Sequence, residues 1–323
     1  MNKYKREVTI FLALFAVLAR VSAQLIAPGA NYKPNVAPLL TTTWKQSAPY
    51  NQYCPTKTNS SGEQENCPVG CVALALGQIM KYHNYPEKGK GAKSYQPFGL
   101  SETISADFEN TQYKWELMKD SYFRWGSYKN YTDEEAEAVA TLLFHIGVSV
   151  GTIYQLSGSS AFAYGNIPRD MVENFRYAEE PIRYLSRSDY EKEEWMELIF
   201  NELSNGRPIF YAGNSPTSGG HAFVLDGYNA TGKVHINWGW GGTTDDDYYD
   251  IDLLDGENDF CNNQSMVIGI MPPSDINTSV GLNLAERTIV SIYNANGVQI
   301  ERMQKGMNIV KYSDGTIKKI LMH

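Results

Sequence analysis

Gly70-Cys71-Val72-Ala73-Leu74-Ala75-Leu76-Gly77-Gln78-Ile79-Met80-Lys81-Tyr82-His83 places a cysteine directly after a glycine, at the mouth of an apolar run. Val72, Ala75, Ile79 and Tyr82, with Leu76 beside them, recur at helical spacing and predict a helix over 72–82 with one buried stripe. The first N–H groups of a helix lack intrahelical partners, and the macrodipole favours an anion there, so a thiol at that end is predicted to ionise more easily. The thiolate is the nucleophile, which makes Cys71 a candidate for attack on a carbonyl. The competing reading is a buried core cysteine.

Around that helix stands a chain of 323 residues, enough for one large domain or two smaller ones. With 28 basic and 36 acidic side chains the formal charge is −8 and the pI about 5.2, and no basic run interrupts the body, which argues against nucleic acid as a partner. Lys3, Lys5 and Arg6 precede an apolar segment from Val8 to Ala19, and Val21-Ser22-Ala23 supplies small residues at a cleavage position. Residues 1–23 therefore read as a secretory signal, with Gln24 as the new N-terminus, and the run is too short to span a membrane. Export permits disulfides among Cys54, Cys67, Cys71 and Cys261. A bridge between Cys54 and Cys67 would close a short polar loop and contribute about 3 kcal/mol, leaving Cys71 and Cys261 free. No metal is expected, because nothing near Cys67 and Cys71 completes a zinc ligand spacing.

Further along, Thr132-Asp133-Glu134-Glu135 is a capping box opening a helix to about Ile146, stopped at Gly147. Pro168 can start a short helix towards Arg176, and Ser188 with Glu191 reads as a second capping box for a helix ending near Asn205-Gly206. Residues 84–130 read mainly as loops. Strands are predicted at Pro208–Ala212, Ala222–Gly227, Val234–Trp238, Tyr248–Leu253 and Ser265–Ile270. A helical half followed by an antiparallel sheet is an α+β architecture, with a site expected where the layers meet. Pro272-Pro273-Ser274 reads as a boundary. Beyond it Asn296-Gly297 and Asp314-Gly315 mark two hairpins of a small all-β unit.

Acyl transfer by a thiol needs a histidine as base and acid. His83 lies 12 residues after Cys71 on the same predicted helix, ~18 Å away. His145 ends another helix and reads as structural, and His323 is the last residue. His221 and His235 remain. His221 follows Gly219-Gly220 at the start of a buried strand, where bare backbone lets a peptide approach. His235 shares a strand face with Asn237, and for either histidine the competing reading is a hydrogen-bonded core residue.

Pro49-Tyr50-Asn51, Gly70-Cys71-Val72-Ala73, Gln78-Ile79-Met80-Lys81-Tyr82-His83-Asn84-Tyr85-Pro86, Gly219-Gly220-His221-Ala222-Phe223-Val224 and His235-Ile236-Asn237-Trp238-Gly239-Trp240-Gly241-Gly242 resemble, in this order, the streptopain family of secreted cysteine endopeptidases. The resemblance spans Val36 to Pro272. It implies a papain-like fold, a helical subdomain plus an antiparallel β-sheet subdomain, over residues 36–272. It also implies Cys71 as nucleophile, His221 as general base and acid, Asn237 as the residue orienting the imidazole, and Trp238 as the indole shielding the pair from water. Gln46 matches the oxyanion-stabilising glutamine, with Gln64 as the alternative. Ser160, within Ser157-Gly158-Ser159-Ser160, and Gly220 match substrate-binding positions, although the serine-rich loop reads equally as a plain turn. The implied partners are protein or peptide substrates, with no metal or organic cofactor.

The chain departs from the family in three respects. Residues 24–35 form a short leader with no room for a long inhibitory segment, so latency would need a separate proteinaceous inhibitor or the C-terminal piece. Leu253–Asn263 carries acids and Cys261 where the family has a longer glycine-rich loop. Leu74 and Gly77 are unusual in the helix and are expected to alter packing only. In the piece 273–323, Val290-Ser291-Ile292-Tyr293-Asn294-Ala295-Asn296-Gly297, Gly306-Met307-Asn308-Ile309-Val310 and Lys318-Lys319-Ile320-Leu321 resemble a type IX secretion sorting tail, implying secretion machinery as a partner and a secreted or outer-surface location. The rival functions are an amidase of cell-wall peptides and a non-catalytic surface binder.

Overall fold

The computed structural model describes residues 25–123, 129–161, 164–242, 245–253, 259–273, 289–300, 302–312 and 317–322. The expected signal segment 1–23 with Gln24, the chain from 274 to 288, the Asp314-Gly315 turn and His323 lie outside them. The chain forms two compact units, Met1–Pro273 and Ser274–His323. Among the described residues no helix is long and apolar enough to cross a membrane.

In the first unit a hairpin of β1 (Thr56–Thr58) and β2 (Gln64–Asn66) precedes helix α1 (Cys71–His83). A second hairpin, β3 (Ala92–Tyr95) with β4 (Ile104–Asp107), leads to α2 (Asp133–Ser149) and α3 (Ile167–Phe175). Strand β5 (Arg183–Ser186) and helix α4 (Lys192–Ser204) follow. Then come β6 (Ile209–Ser215), β7 (Gly219–Tyr228), β8 (Val234–Asn237), β9 (Tyr248–Tyr249) and β10 (Asn262–Ile268). Strands β5 to β10 make one antiparallel sheet in the order β5-β10-β6-β7-β8-β9. The architecture is α+β, as expected.

The sheet is covered on both faces, which explains why its central strands read as continuous apolar runs. Phe210, Ala212, Ala222 and Val224 join a core with Leu74, Leu76 and Ile79 of α1 and Leu142, Leu143 and Ile146 of α2. The alternate residues Ile209, Tyr211, Phe223 and Leu225 join a second core with Trp195, Ile199, Phe200 and Leu203 of α4. That alternation is the period of two that a pleated strand imposes. Helix α1, wedged between α2 and the sheet, buries every residue from Val72 to Met80, not the single stripe expected. Gly77 makes this possible, since a Cβ there would meet Leu143 Cδ2 at 2.4 Å.

The β3–β4 hairpin falls where loops were expected and several strand ends shift by a few residues; three other differences have a local cause. The capping box at Thr132 forms, with Glu135 N–H donating to Thr132 Oγ1 and Thr132 N–H to Glu135 Oε2. Helix α2, however, runs through Gly147 and yields only before Gly151, whose φ is +69°. The second capping box is Glu191 with Glu194, three residues after the Ser188 position, because Arg187–Asp189 closes as a 3-10 turn. The strand expected at Tyr248–Leu253 stops after Tyr249 because Asp250 and Asp252 turn to bind Lys192 Nζ, and Asp250 Oδ1 also accepts the Asp252 N–H.

The expected Cys54–Cys67 bridge is corrected. Both are buried free thiols. The ladder pairs Thr56 with Asn66, and Cys67 N–H donates to the Pro55 carbonyl, so Cys67 stands opposite Pro55. Cys54 lies before β1 and shares one buried core with Cys67, so the two thiols are neighbours with no bond between them.

The second unit is a four-stranded antiparallel sheet in the order β12-β11-β13-β14, with β11 (Ile289–Asn294), β12 (Gln299–Ile300), β13 (Gly306–Tyr312) and β14 (Ile317–Met322). The Asn296-Gly297 turn joins β11 to β12, with Gly297 at φ +77°.

Candidate active site

Cys71 is the first residue of α1. Gly70, the N-cap, has no side chain to occupy the helix's free N–H groups, and no acidic residue sits in the first turn. The thiol is therefore faced by the backbone N–H groups of Cys71, Val72 and, from β7, Ala222. Position at the helix end predicts easier ionisation, but burial outweighs these donors and pushes the Cys71 thiol above its ordinary value.

Ala222 follows His221, so the strand that supplies the N–H to Cys71 also carries the imidazole. His221 is buried, with 7 % of its surface exposed. Its Nε2 lies 2.9 Å from the Trp238 carbonyl oxygen. A carbonyl can only accept, so Nε2 carries the proton and, in the neutral ring, Nδ1 is the basic lone pair. Burial pushes the His221 pKa down to about 4, against the opposing pull of that carbonyl.

The ring lies in an aromatic box. Trp238 stacks on it at 6.2 Å and 18°, Trp240 at 5.3 Å and 23°, and Phe260 tilts against it at 5.2 Å. Trp238 is fully buried, its indole N–H donating to the Asp245 carbonyl and its backbone N–H to Asp246 Oδ1. Trp240 and Phe260 were missed in the sequence. Trp240 had a signal in its two-residue spacing from Trp238; Phe260 had none, because only the sheet brings it near.

Asn237 requires a correction. Its side chain does not reach His221: Nδ2 donates to the Thr42 carbonyl, while Oδ1 accepts from Gln78 Nε2 and Gly239 N–H. The polar partner of the imidazole is the backbone carbonyl of the next residue. Asn237 ends β8, and the chain turns at once through Gly239 (φ +75°), where a Cβ would strike Leu74 Cδ2 of α1 at 2.7 Å. This turn swings the Trp238 carbonyl, not the Asn237 amide, towards the ring.

Gln46 is held beside the nucleophile by two bonds: Gly70 N–H donates to its Oε1 and Val69 N–H to its backbone carbonyl. With Oε1 engaged, Nε2 has no protein partner among the described residues. Gln64 is in β2, exposed, and donates to Thr58 Oγ1, which removes it as the alternative. The Ser157–Ser160 loop does reach the helix mouth, since a Cβ on Gly70 would lie 3.3 Å from the Ser159 carbonyl oxygen. Ser160 is exposed and bridges to Ile153, and Gly220 is exposed beside His221, paired with Asn214.

His235, the other histidine weighed above, is an ion-pair residue. Its Nδ1 lies 2.6 Å from Asp226 Oδ1. Burial opposes its charge, but Asp226, with Asp246 and Asp247 behind it, prevails and raises its pKa. His83 Nε2 meets the Ile270 carbonyl and His145 Nδ1 meets Tyr113 Oη, both away from the thiol. Among the described residues no group of three or more His, Cys, Asp or Glu could hold a metal ion.

The chain is similar to known thiol proteases. The profile of the peptidase C10 family matches residues 44–249. The thiol protease/hemagglutinin PrtT of Porphyromonas gingivalis is 34 % identical over 266 residues, which are 77 % of this chain and 29 % of that protein. Streptopain of Streptococcus pyogenes is 35 % identical over 248 residues, 71 % of this chain and 60 % of streptopain. The chain thus spans less than two thirds of either relative. Among solved structures, active wild-type interpain A, a cysteine protease of Prevotella intermedia, superposes with a TM-score of 0.67 at 41 % identity, over 75 % of this chain and 98 % of the other.

Proposed function

This chain belongs to the peptidase C10 family, and on that premise we propose that it is a cysteine endopeptidase cleaving protein or peptide substrates. The observation that carries the reading is that Cys71, at an uncapped helix start, faces the Ala222 N–H on the strand where the preceding residue, His221, has its Nε2 tied to the Trp238 carbonyl. In the proposed cycle Sγ attacks the scissile carbonyl carbon while its proton passes to His221 Nδ1. The developing oxyanion accepts from the Cys71 N–H and from Gln46 Nε2. His221 then protonates the leaving amine, the C–N bond breaks, and water, deprotonated by the same imidazole, releases the acid from the thioester. The Trp238 and Trp240 rings exclude water and so strengthen the polar contacts beneath them. Asn237 acts by fixing the turn. Ser160 and Gly220 line the substrate approach beside His221.

The expressed chain should hydrolyse a peptide library under mild reduction, and a thiol alkylator, Cys71→Ala or His221→Ala should each stop it. Unchanged cleavage by folded Cys71→Ala would sink the reading. Hydrolysis of peptidoglycan fragments but not proteins would favour the amidase, and no labelling of Cys71 by an active-site thiol probe would favour the binder.

Residues 1–23 we read as the secretory signal, 36–272 as the peptidase domain and 273–323 as a linker and sorting unit that engages secretion machinery. The separate four-stranded sheet supports the last reading. We propose a separate proteinaceous inhibitor, or that unit, as a source of latency. Deleting 274–323 should abolish appearance of the protein outside the producing cell; export unchanged by the deletion would refute the sorting role.

A further inference from the structure

Thr42, Gln78 and Asn237 are 4 %, 1 % and 6 % exposed and form a closed ring of hydrogen bonds. Thr42 Oγ1–H donates to Gln78 Oε1 at 2.8 Å, Gln78 Nε2–H to Asn237 Oδ1 at 3.1 Å, and Asn237 Nδ2–H to the Thr42 carbonyl at 2.9 Å. The three come from distant parts of the chain: the segment before the first hairpin, the nucleophile's helix, and the end of β8. A buried amide costs free energy unless it is bonded, and this ring satisfies both side-chain amides.

The ring leads to the imidazole through one peptide plane. Asn237 Oδ1 also accepts the Gly239 N–H at 3.1 Å. That N–H and the Trp238 carbonyl are the two ends of the same planar peptide, and the carbonyl end accepts His221 Nε2–H at 2.9 Å. Rotating the peptide would break both bonds, so whatever fixes Asn237 Oδ1 fixes the acceptor that aims His221. Gln78 lies seven residues after Cys71, two turns along the same face of α1. It therefore sets the register between the helix bearing the nucleophile and the turn bearing the base's acceptor.

We propose that Gln78 is a positioning residue that acts through Asn237 on the Trp238–Gly239 peptide and thereby aligns His221 with Cys71. This rests on the reading of Cys71 and His221 given above. Thr42 is its supporting partner, since the hydroxyl fixes the Gln78 carbonyl and so turns its amide towards Asn237. Asp246 grips the preceding peptide through the Trp238 N–H and leaves the Trp238–Gly239 plane to Asn237.

The test is Gln78→Met in the full chain, which keeps the volume and removes both bonds. Two quantities are measured: kcat and KM on a peptide, and the pH dependence of iodoacetamide alkylation at the Cys71 peptide, read by mass spectrometry. We expect cooperative unfolding to persist, kcat to fall about ten- to a hundredfold with KM nearly unchanged, and the alkylation profile to move towards that of His221→Ala. A folded Gln78→Met with the parental profile overturns the proposal, including when kcat falls only in proportion to the folded fraction. Should Gln78→Met not fold, Thr42→Val supplies the same readout with a smaller shift expected, and a parental profile there is equally fatal. If His221→Ala itself leaves the profile unchanged, the reading of the site fails and this inference with it. If that control responds and Gln78→Met does not, only the role of Gln78 falls.

Discussion

His221 and His235 stand on adjacent strands of one sheet, β7 and β8, yet the molecule treats them in opposite ways. His221 meets a carbonyl, two indoles and two phenyl rings, and burial pushes its pKa down to about 4. His235 meets the Asp226 carboxylate with further acids behind it, and its pKa is raised. A ring with one bonded N–H and no carboxylate beside it keeps a lone pair for a reaction; a ring paired to a carboxylate holds its proton more firmly and has its position committed. Asp226 is committed as well, since its Oδ2 accepts the Leu40 N–H and its carbonyl the Leu39 N–H. That corner straps the N-terminal segment to the sheet. Burial alone does not separate these two histidines; the charge of the partner does.

The largest expected effect breaks the comparison directly. His221→Ala should lower kcat/KM about 10³- to 10⁴-fold, while His235→Ala should leave it within about threefold, allowing for reduced stability. Steady-state kinetics on both variants, with circular dichroism to establish folding, decides. Equal losses in two folded variants would mean that partner charge does not mark the base.

The oxyanion side comes next. Gln46→Ala removes one side-chain donor and should lower kcat about 10²-fold with a small change in KM, because the bond strengthens only as charge develops on oxygen. Gln64→Ala, in the exposed hairpin, should do neither. A Gln64 effect as large as that of Gln46 would reopen the assignment.

Asp226→Asn tests the structural corner. Losing the charge partner of His235 and one acceptor of the strap should cost roughly 1–3 kcal/mol, read as a lower urea midpoint with kcat unchanged for the folded fraction. A loss of kcat at parental stability would place this corner in the chemistry.

What could be read from the sequence divides along the same line. The helix at Cys71, the strand at His221 and the two-layer architecture follow from local signals: a 3.6-residue period, glycines before a strand, alternation of apolar residues. The miscast residues depend on contacts between segments far apart in the chain. Asn237 has the expected residue type at the expected position, but its amide is captured by Gln78 and Thr42, 159 and 195 residues away. Cys54 and Cys67 are buried in one core as free thiols, which loop length alone does not reveal. Cys71 was expected to ionise easily from its helix position, and burial by residues distant in sequence reverses the direction.

The effect that joins both corners is the dependence on pH. His221 titrates far below the free value of 6.5, so the base stays available as pH falls, and kcat/KM should hold to near pH 4 before the imidazole is protonated without receiving the thiol's proton. Stability behaves differently. His221 and His145 are both buried and pushed down to about 4. The stability each contributes is present above 6.5 and is lost as pH falls towards 4, up to about 3 kcal/mol apiece. His235 has the opposite sign: its raised pKa contributes stability fully below 6.5, lost as pH rises through the folded value. Urea melts across pH 4–9 should therefore weaken towards both ends, and His235→Gln should flatten only the alkaline arm. Flattening of the acid arm by that variant would show that the two corners are not electrostatically separate, despite the different partners the sheet gives them.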